Sequence, residues 1–152
     1  MTNNTERMLD HILFLARKFR GCEKKYVIMI ILLELNVSPK TDGYKYLVRI
    51  IELYMDAPAQ VSIKSLYIAL SALYNGIVDA DQIEQSVRNA IKQAWKKKDN
   101  EKWTCFFLAD DNGECEKPTN AEFVAMIACV MELWKGWCEA YEKRAHTKED
   151  ML

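Results

Sequence analysis

The stretch from Asp79 to Lys98, DADQIEQSVRNAIKQAWKKK, is a single long helical pattern with two unlike sides. At about 100° per residue, Ile83, Val87, Ala90, Ile91 and Ala94 share one arc, while Gln82, Gln85, Asn89, Lys92, Gln93 and Lys96 point the other way. The first set is expected in a core. The second is a face of amides and ammonium groups. Such a face suits a DNA major groove, where Asn and Gln pair bidentately with adenine and Lys reaches guanine or phosphate. A solvated surface helix carries the same residue types, so the face alone leaves both readings open.

What surrounds this stretch points to an all-α chain. Half of the 152 residues are apolar, only five are Gly and three are Pro, and apolar positions recur at spacings of three and four. The length suits one domain that buries roughly two-thirds of its unfolded-chain surface without staples. A formal net charge of −1 gives no overall basic character, so nucleic-acid binding has to rest on a local patch. Cys22, Cys105, Cys115, Cys129 and Cys138 are odd in number and form no CxxC pair, which signals neither a disulfide framework nor a common zinc site. Reduced thiols and a start without signal-peptide features predict a cytoplasmic protein. The longest apolar run, Tyr26 to Leu33, is too short to cross a bilayer, so no membrane partner is expected.

Before the polar-faced helix, four helices are predicted. From about Thr5 to Phe19, Met8, Ile12, Leu15, Ala16 and Phe19 form a stripe that fits core packing or self-association; Gly21 ends it, and His11 reads as an incidental polar position. Glu23 to Leu35, through VIMIILLEL, reads as a helix buried on most of its circumference, with a strand as the competing reading because it is rich in β-branched residues. Pro39 and Gly43 are expected to make a turn, after which Tyr44, Leu47, Ile50, Ile51 and Tyr54 mark a helix ending before Pro58. A fourth helix runs from Ser62 to about Tyr74 with Ile63, Leu66, Tyr67, Leu70 and Leu73 inward, and Asn75 and Gly76 close it in left-handed conformation. Asp79 or Asp81 then caps the helix that follows, making a helix-turn-helix.

Beyond Lys98, Trp103, Phe106, Phe107 and Leu108 form an apolar patch that docks as a short helix or strand, and Asp110 to Glu114 reads as a turn whose spacing is not that of a calcium loop. Thr119 and Glu122 predict a capping box for a last helix carrying Phe123, Ile127, Val130, Trp134, Trp137 and Tyr141. The expected architecture is a compact helical bundle of about six helices plus an extra N-terminal helix. It divides into an amphipathic helix at 1–21, a helix-turn-helix domain at 22–145 and a tail at 146–152.

Four pieces carry a resemblance: GYKYL at Gly43 to Leu47, SIKSLY at Ser62 to Tyr67, VRNAIKQAW at Val87 to Trp95 and KPTNAEFVAM at Lys117 to Met126. Their order and spacing make the chain from about Leu35 to Trp134 similar to the C-terminal DNA-binding domain of the sporulation stage-zero response regulator family. The resemblance implies a helix-turn-helix of Ser62 to Asn75 followed by Asp79 to Lys98, the second helix reading bases. It also implies neighbouring domains that meet at adjacent sites and a contact with the transcription machinery. Glu84, Arg88, Ala90, Ile91, Ala94 and Trp95 match the family. Arg88 suits a phosphate or base contact, with pairing to Glu84 as the competing role. Gln82, Gln85 and Asn89 stand where the family has two arginines and a histidine, so the family's operator sequence does not carry over. The segment before Leu35 is too short for the family's receiver domain, so control by aspartyl phosphorylation is not implied.

These readings predict a sequence-specific DNA-binding regulator acting on double-stranded DNA. Gln82, Gln85 and Asn89 would read base edges, and Arg88, Lys92, Lys96 and Lys97 would hold phosphates, with Gln93 on the same face and Lys98 a weaker candidate. The alternative is a protein-interaction module that kept the fold, including a homodimer through Trp134, Trp137 and Tyr141. An enzyme is not expected: His11 and His146 lie in the terminal segments, and neither a phosphate-cradling loop nor metal-ligand spacing is present, so no cofactor is called for.

Overall fold

The computed structural model describes the backbone of residues 4–57, 59 and 61–150 and the side chains of residues 5–57, 59 and 61–144. Among them are seven helices: α1 (Asn4–Lys18), α2 (Lys24–Glu34), α3 (Asp42–Asp56), α4 (Ile63–Leu73), α5 (Ala80–Lys96), α6 (Asn100–Trp103) and α7 (Asn120–Asp150). The extended pairing among these residues is one isolated antiparallel bridge, Ala109 to Cys115. The domain is all-α, as the periodicity predicts.

Local chemistry sets the helix ends. The Thr41 hydroxyl accepts from the Tyr44 amide at 3.3 Å to start α3. At α7, the Glu122 amide donates to the Thr119 hydroxyl at 3.1 Å, and the Thr119 amide donates to the Glu122 carboxylate at 3.3 Å, the predicted capping box. That long helix passes residue 146 without a break, so no helix end marks the expected start of a tail. Pro58, expected just after α3, lies outside the described residues, as does the side chain of His146.

The central helix is α3, which packs against α2, α4, α5 and α7 and buries Tyr44, Leu47, Val48, Ile50 and Ile51. Gly43 is not a turn residue, as its sequence context suggests; it lies in the first turn of α3 where α5 crosses closest. A Cβ there would come within 2.3 Å of the Ser86 carbonyl oxygen and 2.6 Å of the Ala90 Cβ. The glycine is what lets the two helices meet.

The β-branched run of α2 is helical, but its burial is one-sided. Val27, Ile28, Ile31 and Leu32 are buried, whereas Tyr26 and Leu33 are exposed. The outward side was expected to be covered and is not, because the neighbouring helices approach from one direction. In α1, Ile12, Leu15 and Ala16 are fully buried and the helix lies along α7, so this segment completes the core. His11 is not incidental: its Nε2 lies 2.7 Å from Glu34 Oε2, tying α1 to α2, and its ring packs edge-on against Phe106.

The aperiodic stretch after α5 is held by aromatic packing. Trp103 and Phe106 are fully buried and Phe107 nearly so, while Leu108 is exposed at the head of the turn. Trp103 donates its indole N–H to the Leu35 carbonyl at 3.0 Å, satisfying an orphan acceptor at the end of α2. In the following turn the Asp110 carboxylate accepts from the amides of Asn112 and Glu114 at 2.9 and 3.0 Å, a local structural use. None of the described helices is long and apolar enough to cross a membrane.

Candidate nucleic-acid interface

The Ser62 hydroxyl accepts from the Ser65 amide at 3.2 Å and starts α4, which buries Leu66, Tyr67 and Leu70. Leu73, expected inward, is 55% exposed. The helix ends there and the backbone turns away toward α5 before any neighbour can cover it. Asn75 at φ 57° and Gly76 at φ 74° make the left-handed turn, and the Gly76 amide closes on the Ser71 carbonyl at 2.9 Å. The Ser71 hydroxyl donates to the Val78 carbonyl at 2.6 Å, bracing the connector to α5.

Of the two aspartates that could cap α5, Asp79 does so. Its carboxylate accepts from the Gln82 amide at 2.8 Å, and its own amide donates to the Gln82 side-chain oxygen at 3.0 Å. Gln82 therefore has its amide oxygen engaged and keeps its NH2 outward. The inner face is the predicted one: Ile83, Val87, Ala90, Ile91 and Ala94 are all buried. Gln82, Gln85, Arg88, Asn89, Lys92, Gln93, Lys96 and Lys97 are all exposed. The eight candidate residues are thus brought together on one solvent-facing surface.

They are also partly committed to one another. Arg88 donates through Nη2 to Glu84 Oε1 at 2.9 Å and through Nη1 to Gln85 Oε1 at 3.2 Å. Gln85 in turn donates through Nε2 to Asn89 Oδ1 at 3.1 Å. The chain Glu84, Arg88, Gln85, Asn89 leaves the Asn89 NH2 pointing to solvent and one Gln85 N–H spare. The ion pair is exposed and its partners can part at little cost. Charge is graded along the helix: Asp81 and Glu84 sit in its first half, and Lys92, Lys96 and Lys97 in its second, where cations also suit the helix dipole. Lys98 lies 4.1 Å from the centre of the Trp95 ring and is held by it.

One residue that fixes this unit went unrecognised in the sequence. Asn120, at the start of α7, donates to the Tyr67 hydroxyl at 3.1 Å and to the Glu84 carbonyl at 3.2 Å, joining α7 to both helices of the pair. Burial pushes the Tyr67 hydroxyl above its ordinary pKa, so it stays protonated. The signal was present only as an Asn inside the capping sequence KPTNAEF.

The three aromatic residues considered for a partner surface differ in exposure. Trp134 is only 6% exposed and belongs to the core, and Tyr141 is half-buried, its hydroxyl accepting from Arg17 Nε of α1 at 3.1 Å. Trp137 alone stands outward, 40% exposed.

A capped, tightly turned helix pair whose second member is buried on one side and polar on the other defines a helix-turn-helix domain of the all-α class. The family model described as "Sporulation initiation factor Spo0A C terminal" matches residues 28–131, from within α2 into α7. The chain belongs to this family, which is one of DNA-binding transcription regulators of sporulation. α1 and the second half of α7 lie outside the matched residues.

Proposed function

We propose that the chain is a sequence-specific DNA-binding regulator in which α5 is the recognition helix and the base preference has moved toward adenine. The observation that carries this reading is the division of α5 into five buried apolar residues and an outward face that carries seven of the exposed candidates, with Lys97 at its C-cap. Once released from their internal bonds, the amide groups of Gln85 and Asn89 offer the paired donor and acceptor that adenine N6 and N7 require, and Gln82, whose oxygen is held in the cap, offers its NH2. Lys92, Lys96 and Lys97 lie where they can hold phosphates, and Arg88 joins them once it leaves Glu84. No catalytic role is part of this reading.

Selection of bound duplexes from a random pool tests it, with Asn89→Ala and Arg88→Ala as comparisons. Loss of Asn89 should relax the preference at one position at a cost of about 1–3 kcal/mol, whereas loss of Arg88 should weaken all sequences alike and reduce the salt slope by about one. Weak, salt-independent binding to every duplex would refute the proposal.

A second reading, a protein-interaction module that kept the fold, is favoured by exposed apolar side chains on the pair: Ile68 and Leu73 on α4 and Ile77 in the turn into α5 are 62%, 55% and 84% exposed. The same selection separates the two: under this reading no duplex is enriched.

A further inference from the structure

Two grooves flank α5, and they are unlike. At about 100° per residue, Glu84, Arg88 and Ile91 face one side of the helix and Gln82, Gln85 and Ser86 the other. The groove on the second side, of about 380 Å³, has Asp42 of α3 as its charged lining residue. The groove on the first side, of about 370 Å³, lies where α4, α5 and the start of α7 meet. It is lined by two cations, Arg88 and Lys117, with Glu84 as its carboxylate.

Two donors of this groove are unspent. Glu84 is engaged by Arg88, whereas Lys117 has neither a hydrogen bond nor an ion pair to any described residue. The second is the hydroxyl of Tyr67, a residue only 2% exposed that lines the groove. Its oxygen accepts from Asn120 Nδ2, and that orientation is settled because the same nitrogen donates to the Glu84 carbonyl, which can only accept. The tyrosine's own proton is left without an acceptor among the described residues. A buried donor with nothing to give to is costly, so it suits an acceptor brought from outside. Ile63, Ile91 and Pro118 make the rest of the wall apolar, which fits a sugar ring beside the acceptor better than a bare ion.

We propose that this groove binds a phosphate group of the DNA backbone, held by the Lys117 ammonium and the Tyr67 O–H, with the adjoining sugar against Ile63, Ile91 and Pro118. Arg88 joins them when it releases Glu84. The proposal rests on the reading of α5 as the recognition helix and adds a direction to it. The strand backbone passes on the α7 side of α5, not on the side of Asp42, whose carboxylate repels phosphate. A free phosphate ion shares the chemistry, and the two sources are separated by experiment.

Fluorescence anisotropy on the full chain with the most strongly bound duplex, over a salt series, is the first arm. Lys117→Gln should weaken every duplex alike by about threefold to tenfold and lower the salt slope by about one, with the base preference unchanged. Tyr67→Phe should weaken binding by about threefold or more while the circular-dichroism helicity stays that of the wild type. Lys135→Gln removes the same charge roughly 20 Å further along α7 and should change affinity by less than about twofold. The second arm titrates inorganic phosphate into the chain without DNA at constant ionic strength, following the amide NMR signals of Lys117 and Asn120. A wild type that binds duplex while Lys117→Gln binds no worse than Lys135→Gln overturns the proposal and leaves the reading of α5 intact. If no duplex binds, the reading of α5 fails and the second arm judges the groove alone. Saturable shifts that Lys117→Gln abolishes then overturn the duplex as the source and assign the groove to free phosphate, and the absence of shifts overturns the site.

Discussion

Replacing Gly43 by alanine places one methyl group at the crossing of α3 and α5. The new Cβ would lie 2.3 Å from the Ser86 carbonyl oxygen and 2.6 Å from the Ala90 Cβ, where ordinary contact begins at 3.4 Å. Each approach is therefore about 1 Å short, and neither neighbour is the end of a flexible side chain that could swing aside. Overpacking of this kind costs roughly 1–3 kcal/mol, here about 2–3 because whole helices have to move. Alanine's better helix propensity returns up to about 1 kcal/mol, leaving a net loss of about 1–2 kcal/mol. At this chain length the melting temperature should fall by about 2–8 °C. Urea unfolding and a thermal melt measure it, with Gly136→Ala as the control. Nothing lies within 4 Å of that position, so the control should be neutral or more stable by up to about 1 kcal/mol in dilute protein. A Gly43→Ala chain as stable as wild type would refute the packing argument. It would mean that α5 can stand off from α3, and that its outward face is not rigidly placed.

The other predictions concern single bonds and burial. Asp79→Ala removes one arm of the α5 capping box and should cost about 0.5–2 kcal/mol in urea unfolding, while Asp81→Ala, which caps nothing, should cost less than half of that. Trp103→Phe keeps the aromatic packing but strands the buried Leu35 carbonyl, a loss of about 1–3 kcal/mol by the same measurement. Burial pushes the thiols of Cys105, Cys115 and Cys138 above their ordinary pKa, so at pH 8 they hold less thiolate than a free thiol would. A thiol reagent at that pH should modify exposed Cys22 and Cys129 first, half-buried Cys105 next, and buried Cys115 and Cys138 last, the slower three catching up as pH rises or as the chain is unfolded.

The parts of the fold that could be read from the sequence are those governed by local rules. The period of α5 placed all five of its core residues, because a helix face is set by about 100° per residue whatever it packs on. The Asn75–Gly76 stop and the Thr119–Glu122 box were likewise legible, since a left-handed turn and a capping bond are made within a few residues. What failed depended on neighbours far along the chain. Leu73 continues the stripe of α4, but the stripe says only which way it points, and no element covers that end. Trp134 and Tyr141 could be read equally as a partner surface or as cover for the core or the N-terminal helix, because the sequence does not tell where α1 lies along α7. His11 and Gly43 gained their roles from Glu34 and from Ser86 and Ala90, partners that no local pattern names.

The same division bears on α5 itself. Its inner face is fixed by three independent attachments: the close crossing at Gly43, the Asp79 box at its start and the Asn120 bridge from α7 to the Glu84 carbonyl. A helix held this firmly presents its outer side chains at defined places. Apart from Gln82, whose oxygen is part of the cap, the hydrogen bonds described for the outer side chains run to each other and to Glu84, through exposed contacts such as Arg88 to Glu84 that contribute little and break easily. Rigid backbone and exchangeable side-chain bonds are what a surface needs if it is to trade internal partners for external ones. The bonds that must be broken also set the competition. Arg88 can reach a phosphate only by releasing Glu84, and the freed carboxylate then stands beside the DNA as a repulsive charge. Glu84→Gln should therefore raise affinity for every duplex by a few fold, most strongly at low salt, while leaving the base preference set by Asn89 unchanged. An equal or lower affinity in a filter-binding titration would mean that Arg88 stays with Glu84 and takes no part in binding.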